Sequence, residues 1–229
     1  MKRILYVSTI SRFLRDFLLP YASYFRRHGW QVDGMCSGVS EHPICSSHFD
    51  NLWEVQWSRN PLNPRNLLCA PCAVKEIVQR EEYDLVHVHT PVASLVTRYA
   101  LRGCRAVGKP KVIYTAHGFH FHPQGRPLRN SLFLHLEKFA GRWTDYLVVI
   151  NQDDHLAATR HGIVPPTSLV YMPGIGVDLQ YYNERVVSPV NIEGFRKEIG
   201  INTGDPLFAK IARDKRFSAL LNKLFNLDR

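Results

Sequence analysis

Long hydrophobic runs are missing from this chain of 229 residues. No segment approaches the roughly 18 uninterrupted apolar residues of a membrane-crossing helix, so none is expected. Export is not expected either. The opening "MKRILYVSTISRFLRDF" starts with two basic residues, but Ser8, Ser11 and Arg12 break its apolar stretch and no small-residue cleavage site follows. Cysteines are few, odd in number and scattered: Cys36, Cys45, Cys69, Cys72 and Cys104. That pattern makes a disulfide framework a poor reading, and a reducing cytoplasm is the expected setting. Neither G-x-G-x-x-G nor G-x-x-x-x-G-K-[ST] occurs, which removes the dinucleotide and P-loop fingerprints from the first strand. Acidic residues are the minority, 20 against 29 basic, and the resulting net charge of +9 favours an anionic partner. Nucleic acid is not expected as that partner. The basic residues are dispersed, and no recognition helix, zinc finger or aromatic RNA-binding motif is present.

What the chain does contain is a regular alternation of short apolar runs and longer amphipathic stretches. Strands are expected at 3–9, 31–37, 52–58, 84–90, 111–117, 145–151 and 168–174, and helices near 13–28, 65–82, 92–106, 128–142 and 152–161. Nearly continuous apolar strands separated by helices imply an α/β fold, a doubly wound, Rossmann-like parallel sheet covered on both faces. Residues 11–29 mix Phe13, Phe17, Leu18, Tyr21, Tyr24 and Phe25 with Arg12, Arg15, Arg26 and Arg27. Such a helix can lie on an anionic membrane surface, but a βαβ unit needs the same apolar face for its own sheet, and that is the preferred reading. Beyond residue 180 the periodicity fades. Residues 181–204 read as a linker, and 205–229 offer one short strand and one basic helix, the start of a further domain.

Ligands of open parallel sheets sit outside the carboxyl ends of the strands. His89 ends one expected strand and His117 another, while Gly118 permits a sharp turn close to a ligand. His120 and His122 follow within the same stretch, "VIYTAHGFHFH". Alternation puts His87 and His89 on one face of their strand, and with His117 they could ligate a catalytic metal, so a metal-dependent hydrolase is an alternative. No carboxylate stands close in sequence to support it. Cys69-Ala-Pro-Cys72 has redox spacing but falls in or at the start of a helix, where two small residues in a turn is the simpler account.

Taken in order, "EYDLVHVHTP", "KVIYTAHGFHFH", "LEKFAGRWTDYLVVINQDD" and "GIGVDL" resemble the N-terminal domain of family 4 glycosyltransferases of the GT-B fold over about residues 1–180. The likeness is greatest to bacterial enzymes that assemble capsular and extracellular polysaccharide. The resemblance implies two Rossmann-like domains facing a cleft, an N-terminal one for a lipid-linked or saccharide acceptor at the membrane face and a C-terminal one for a nucleotide sugar such as a UDP-sugar. It implies retention of configuration, and no cofactor or metal. It makes His117 the catalytic-site histidine beside the reacting sugar. Ser8, Arg12, His89, Gly118 and His120 would border the acceptor. Arg213 and Lys215 look like a compressed remnant of the donor-phosphate pair, yet no glutamate follows Glu198. A domain of about 150 residues does not fit in what remains. Either a natural truncation or frameshift, or a separately encoded donor-domain chain, would account for this, and on both the chain alone is expected to lack appreciable transfer, in the cytoplasm or at the inner face of the cell membrane. The alternative is a non-catalytic acceptor- or partner-binding module.

Overall fold

The computed structural model describes residues 1–58, 63–104, 108, 110–122, 124–176, 179–180, 188–198 and 200. Seven strands form one sheet: β1 (Arg3–Ile10), β2 (Gln31–Ser37), β3 (Asn51–Glu54), β4 (Leu85–His89), β5 (Lys111–Ala116), β6 (Tyr146–Val149) and β7 (Leu169–Tyr171). Their order is β3-β2-β1-β4-β5-β6-β7 and every neighbouring pair is parallel. The expected doubly wound α/β architecture is therefore present, with the winding direction reversing between β1 and β4.

The helices are α1, which starts at Ser11–Phe13, passes through a π-helical turn at Leu14–Leu18 and continues as Leu19–Arg27; α2 (Cys45–His48); α3, a π-helical turn at Arg65–Cys69 running into Ala70–Glu81; α4 (Pro91–Ala100); α5 (Pro127–Gly141); α6 (Gln152–His161); and α7 (Pro189–Glu198). Alternation along β1 explains how both faces are covered. Ile4 and Tyr6 join a cluster with Leu14, Leu18 and Ala22 of α1, whereas Leu5 and Val7 join the larger cluster with Val74 and Val78 of α3 and Ala93 and Val96 of α4. The apolar stripe of α1 is thus spent on the sheet, and Phe17, Tyr21 and Tyr24 remain exposed beside it.

Two sets of loops fasten the carboxyl and amino edges. The Asp84 carboxylate accepts from the backbone N–H of Arg3, and that of Asp145 from the N–H of Val112. Gly141, at the end of α5, lies so close to the Ile163 carbonyl that a β-carbon there would collide with backbone. Past β7, Met172 and Gly174 donate to the carbonyls of Val149 and Ile150, and the Ile175 carbonyl accepts from the Tyr21 hydroxyl at 3.0 Å.

Backbone contacts divide the chain into two compact units, Met1–Ile175 and Gly176–Arg229. In the second unit α7 differs from the sequence expectation, which reads that stretch as a connection. Ser188 starts it, its Oγ accepting from the Asn191 N–H at 3.2 Å, and Pro189 occupies the first turn, where a missing N–H costs nothing. The strand and helix expected in 205–229 lie outside the described residues.

Candidate active site

In a doubly wound sheet the crevice opens where the winding reverses, here at the carboxyl ends of β1 and β4. The fold places three histidines there, two on β4 and one just past β5. His87 and His89 point to the same face of β4, with ring centroids 4.2 Å apart. His117, the first residue after β5, brings its Nε2 to 3.1 Å from His89 Nδ1. Tyr6 of β1 lies beside both β4 rings, at 5.4 Å from His87 and 6.1 Å from His89.

The opposite wall comes from α1. Phe13 packs 4.9 Å from His117 at 75° and 5.5 Å from His89, and Phe17 lies 6.2 Å from His117. Phe13 immediately precedes the π-helical turn Leu14–Leu18 and Phe17 lies within it, and their rings meet at 4.8 Å. Such single-turn widenings recur at functional sites. His117 is half-buried, His89 is 3% exposed, and the interior of the cluster is apolar.

Burial sets the protonation states. His87 is pushed down to about 3, chiefly by desolvation and secondarily by His117. His89 is held well below the ordinary imidazole range by desolvation, with His87 and His117 adding to the effect, and His117 is lowered by burial as well. All three are neutral near pH 7.

Several backbone devices hold the site open. Gly118 has φ +120°, in a region open to glycine alone, and nothing stands within 4 Å of where a β-carbon would project. Thr90, next after β4, has φ +61°, an uncommon conformation for a β-branched residue. Its Oγ1 accepts from the Thr9 N–H at 2.9 Å and lies 2.7 Å from Thr9 Oγ1, which ties β1 to the β4–α4 turn. Asp154, in the first turn of α6, accepts from the Phe119 N–H at 3.2 Å and from Asn151 Nδ2 at 2.8 Å. Thr90, Asp154, Phe13 and Phe17 are site residues that the sequence reasoning did not single out. Asp154 had a signal: Asn151 three residues before it, a helix N-cap accepting from the Asp154 N–H.

The expected site residues separate into groups. His89, His117 and Gly118 converge. Ser8 is fully buried, and its hydroxyl donates to the Ile10 carbonyl at 2.9 Å. Arg12 is exposed on α1 and pairs with Asp16 at 3.1 Å. His120 turns away from His117 toward Phe133, 5.2 Å off, and lines a second hollow of about 320 Å³ with Pro91, Val92, Leu95 and Arg129. His122 is exposed, its backbone bridged by Asn130. Arg213 and Lys215 lie outside the described residues.

The metal-hydrolase alternative is corrected by this geometry. His87 Nε2 is taken up at 2.8 Å by Thr115 Oγ1, and His89 Nδ1 is taken up by His117. Among the described residues no group of three or more His, Cys, Asp or Glu could hold a metal. Cys69 and Cys72 are free and exposed, Cys69 ending the π-helical turn of α3 and Cys72 lying in its Ala70–Glu81 stretch. Among the described residues, no helix is long and apolar enough to cross a membrane.

Comparison with known proteins agrees with this layout. EpsD of Bacillus subtilis (strain 168), named as a glycosyltransferase, is 34% identical over 206 residues, which is 89% of this chain and 51% of EpsD. An Escherichia coli UDP-Gal:alpha-D-GlcNAc-diphosphoundecaprenol alpha-1,3-galactosyltransferase is 28% identical over 140 residues, 60% of this chain and 34% of that protein. The chain therefore spans about half the length of EpsD and less of the second relative. In fold, sucrose-phosphate synthase from Thermosynechococcus elongatus superposes with a TM-score of 0.61 at 15% identity, covering 90% of this chain and 54% of the other. The Glycosyl transferase 4-like family model matches residues 3–151, the stretch that holds β1 to β6 and every ring of the histidine cluster, and the chain belongs to that family.

Proposed function

We propose that the chain supplies the acceptor half of a glycosyltransferase of capsular or extracellular polysaccharide synthesis. The reaction is transfer of a hexosyl group from a nucleotide sugar to a lipid-linked or saccharide acceptor, with retention of configuration. The observation that carries the reading is the neutral His89–His117 pair walled by Phe13 and Phe17 at the carboxyl edge of the sheet, in a chain of this family. An aromatic wall offers a sugar ring a flat apolar face, and a neutral imidazole offers hydroxyls a hydrogen bond without a charge to desolvate.

The E. coli relative named above uses UDP-galactose and a diphosphoundecaprenol-linked acceptor by its name. For this chain we infer an acceptor of the same kind, a polyprenyl-diphosphate sugar presented at the cytoplasmic face of the membrane. The hollow between α4 and α5 sets the Arg129 guanidinium beside an apolar lining of Val92, Leu95 and Phe133, with the Arg98-paired Glu137 also on its wall, and suits such a molecule. A donor diphosphate would need cations and a helix N-terminus from a donor-binding domain, encoded after residue 175 or on a second chain. On this reading the chain by itself binds acceptor and has no appreciable transfer activity.

The test is titration of the purified chain with a panel of nucleotide sugars and, separately, with vesicles carrying a polyprenyl-diphosphate sugar. Saturable acceptor binding that His117→Ala weakens about tenfold or more, without nucleotide-sugar binding, is the expected result. Tight nucleotide-sugar binding with no acceptor binding would sink the assignment of this half.

A further inference from the structure

His89 Nδ1 and His117 Nε2 lie 3.1 Å apart, and two imidazole nitrogens at that distance share one proton, one donating and the other accepting. Because both rings are neutral, fixing the proton on one side fixes the tautomer of both. Two assignments satisfy the contact. If His117 Nε2–H donates, His89 accepts at Nδ1 and must carry its own proton on Nε2. If His89 Nδ1–H donates, its Nε2 is a bare lone pair and His117 carries its proton on Nδ1.

The surroundings of His89 Nε2 decide between them. That atom is fully buried and meets no hydrogen-bond partner. An N–H there would be an orphaned buried donor, the rarer and costlier kind of unsatisfied group. An aromatic face could in principle accept it, but an in-plane N–H meets a face end-on only when the rings stand near a right angle. The four rings around His89 are tilted by only 29° (Tyr6), 36° (Phe13), 35° (His87) and 39° (His117). No face is offered to that nitrogen.

We propose that His89 is a positioning residue: its buried Nδ1–H donates to His117 Nε2 and locks His117 as the Nδ1–H tautomer. Among the described residues His117 Nδ1 makes no hydrogen bond, so the group presented to a ligand is a neutral N–H donor. It reads an oxygen that accepts, such as a sugar hydroxyl or a phosphate oxygen, and it cannot withdraw a proton through that nitrogen. The identity of the ligand rests on the function proposed above; the tautomer does not.

Long-range nitrogen–proton NMR of the uniformly ¹⁵N-labelled full chain at pH 7.5 reports which ring nitrogen of each histidine is protonated, and His117→Ala assigns the His117 signals by their loss. His117 should show a protonated Nδ1 and a bare Nε2. His89→Asn, whose side-chain NH2 falls near the place of Nδ1, should keep that signature. His89→Leu should lose it, with a protonated Nε2 appearing on His117. A wild-type His117 protonated on Nε2 overturns the proposal, as does an unchanged Nδ1–H signature in a folded His89→Leu chain. Should His89→Leu not fold, the wild-type and His89→Asn spectra still decide. Failure to bind any acceptor with the tautomer intact would count against the function alone.

Discussion

Arg98 of α4 is 1% exposed, and its guanidinium meets Glu137 of α5 at 3.0 Å while lying 4.2 Å from the Tyr114 ring. Thr144 and the Ser94 carbonyl take up further donors, at 3.4 and 3.3 Å. Removing one partner leaves a buried charge without compensation, so Glu137→Ala is expected to cost about 3–5 kcal/mol in urea unfolding, whereas the double change Arg98→Met with Glu137→Leu should recover most of it. A single-variant loss below about 1 kcal/mol would show that water reaches the pair. Glu137 stands inside a motif that resembles a glycosyltransferase, yet its place in the fold is a structural one. The convergence of His89 and His117 was readable, because strand ends of a parallel sheet share one edge. Their packing on Phe13 and Phe17 was not, since those residues read equally well as the apolar face that the helix gives to its own sheet.

The loop after β5 is an element held from outside itself. The Asp154 carboxylate grips the Phe119 N–H from α6, and through that backbone it fixes where the preceding His117 and Gly118 stand. Asp154→Ala should raise hydrogen exchange at Phe119 tenfold or more while leaving β1 and β4 protected, and should weaken acceptor binding without unfolding the sheet. Equal loosening of β1 would make Asp154 a general stabiliser instead. Gly118→Ala acts on the same loop through its backbone, forcing a residue with a β-carbon into φ +120° at a cost of roughly 1–3 kcal/mol. Most elements were legible within a few residues, since continuous apolar runs mark buried parallel strands. The exceptions are the short α2 (Cys45–His48), which no expected helix covers, and elements at the margins. β3 stops at Glu54 and β7 spans only Leu169–Tyr171, because edge strands have one partner and end where pairing ends. Helix α7 was missed because Gly194 and a mixed sequence blur its period, while the Ser188–Pro189 start was the signal that could have revealed it.

For the folded unit as a whole, a row of buried neutral histidines couples the site to global stability. Unfolded, each imidazole takes up its proton near pH 6.5; folded, His87 does so only at about 3, and His89 and His117 are also depressed. The unfolded chain therefore binds more protons over this window, so stability is greatest above pH 6.5 and is lost as pH falls toward the folded values. Between these two values His87 loses ~1.4 kcal/mol per pH unit, so it alone accounts for roughly 2 kcal/mol between pH 6.5 and 5. Glu81, held below the usual carboxylate range by its hydrogen bonds to Arg80 and Arg3, starts to contribute only at lower pH, which leaves the interval from 6.5 to 5 to the histidines. Urea midpoints should fall steeply over that interval in the wild-type chain and less steeply in His87→Gln, whose amide can still reach Thr115. Identical slopes in the two proteins would mean that water and protons enter the cluster in the folded state, and a site that wet would no longer favour the fixed neutral pair on which sugar recognition by His117 depends.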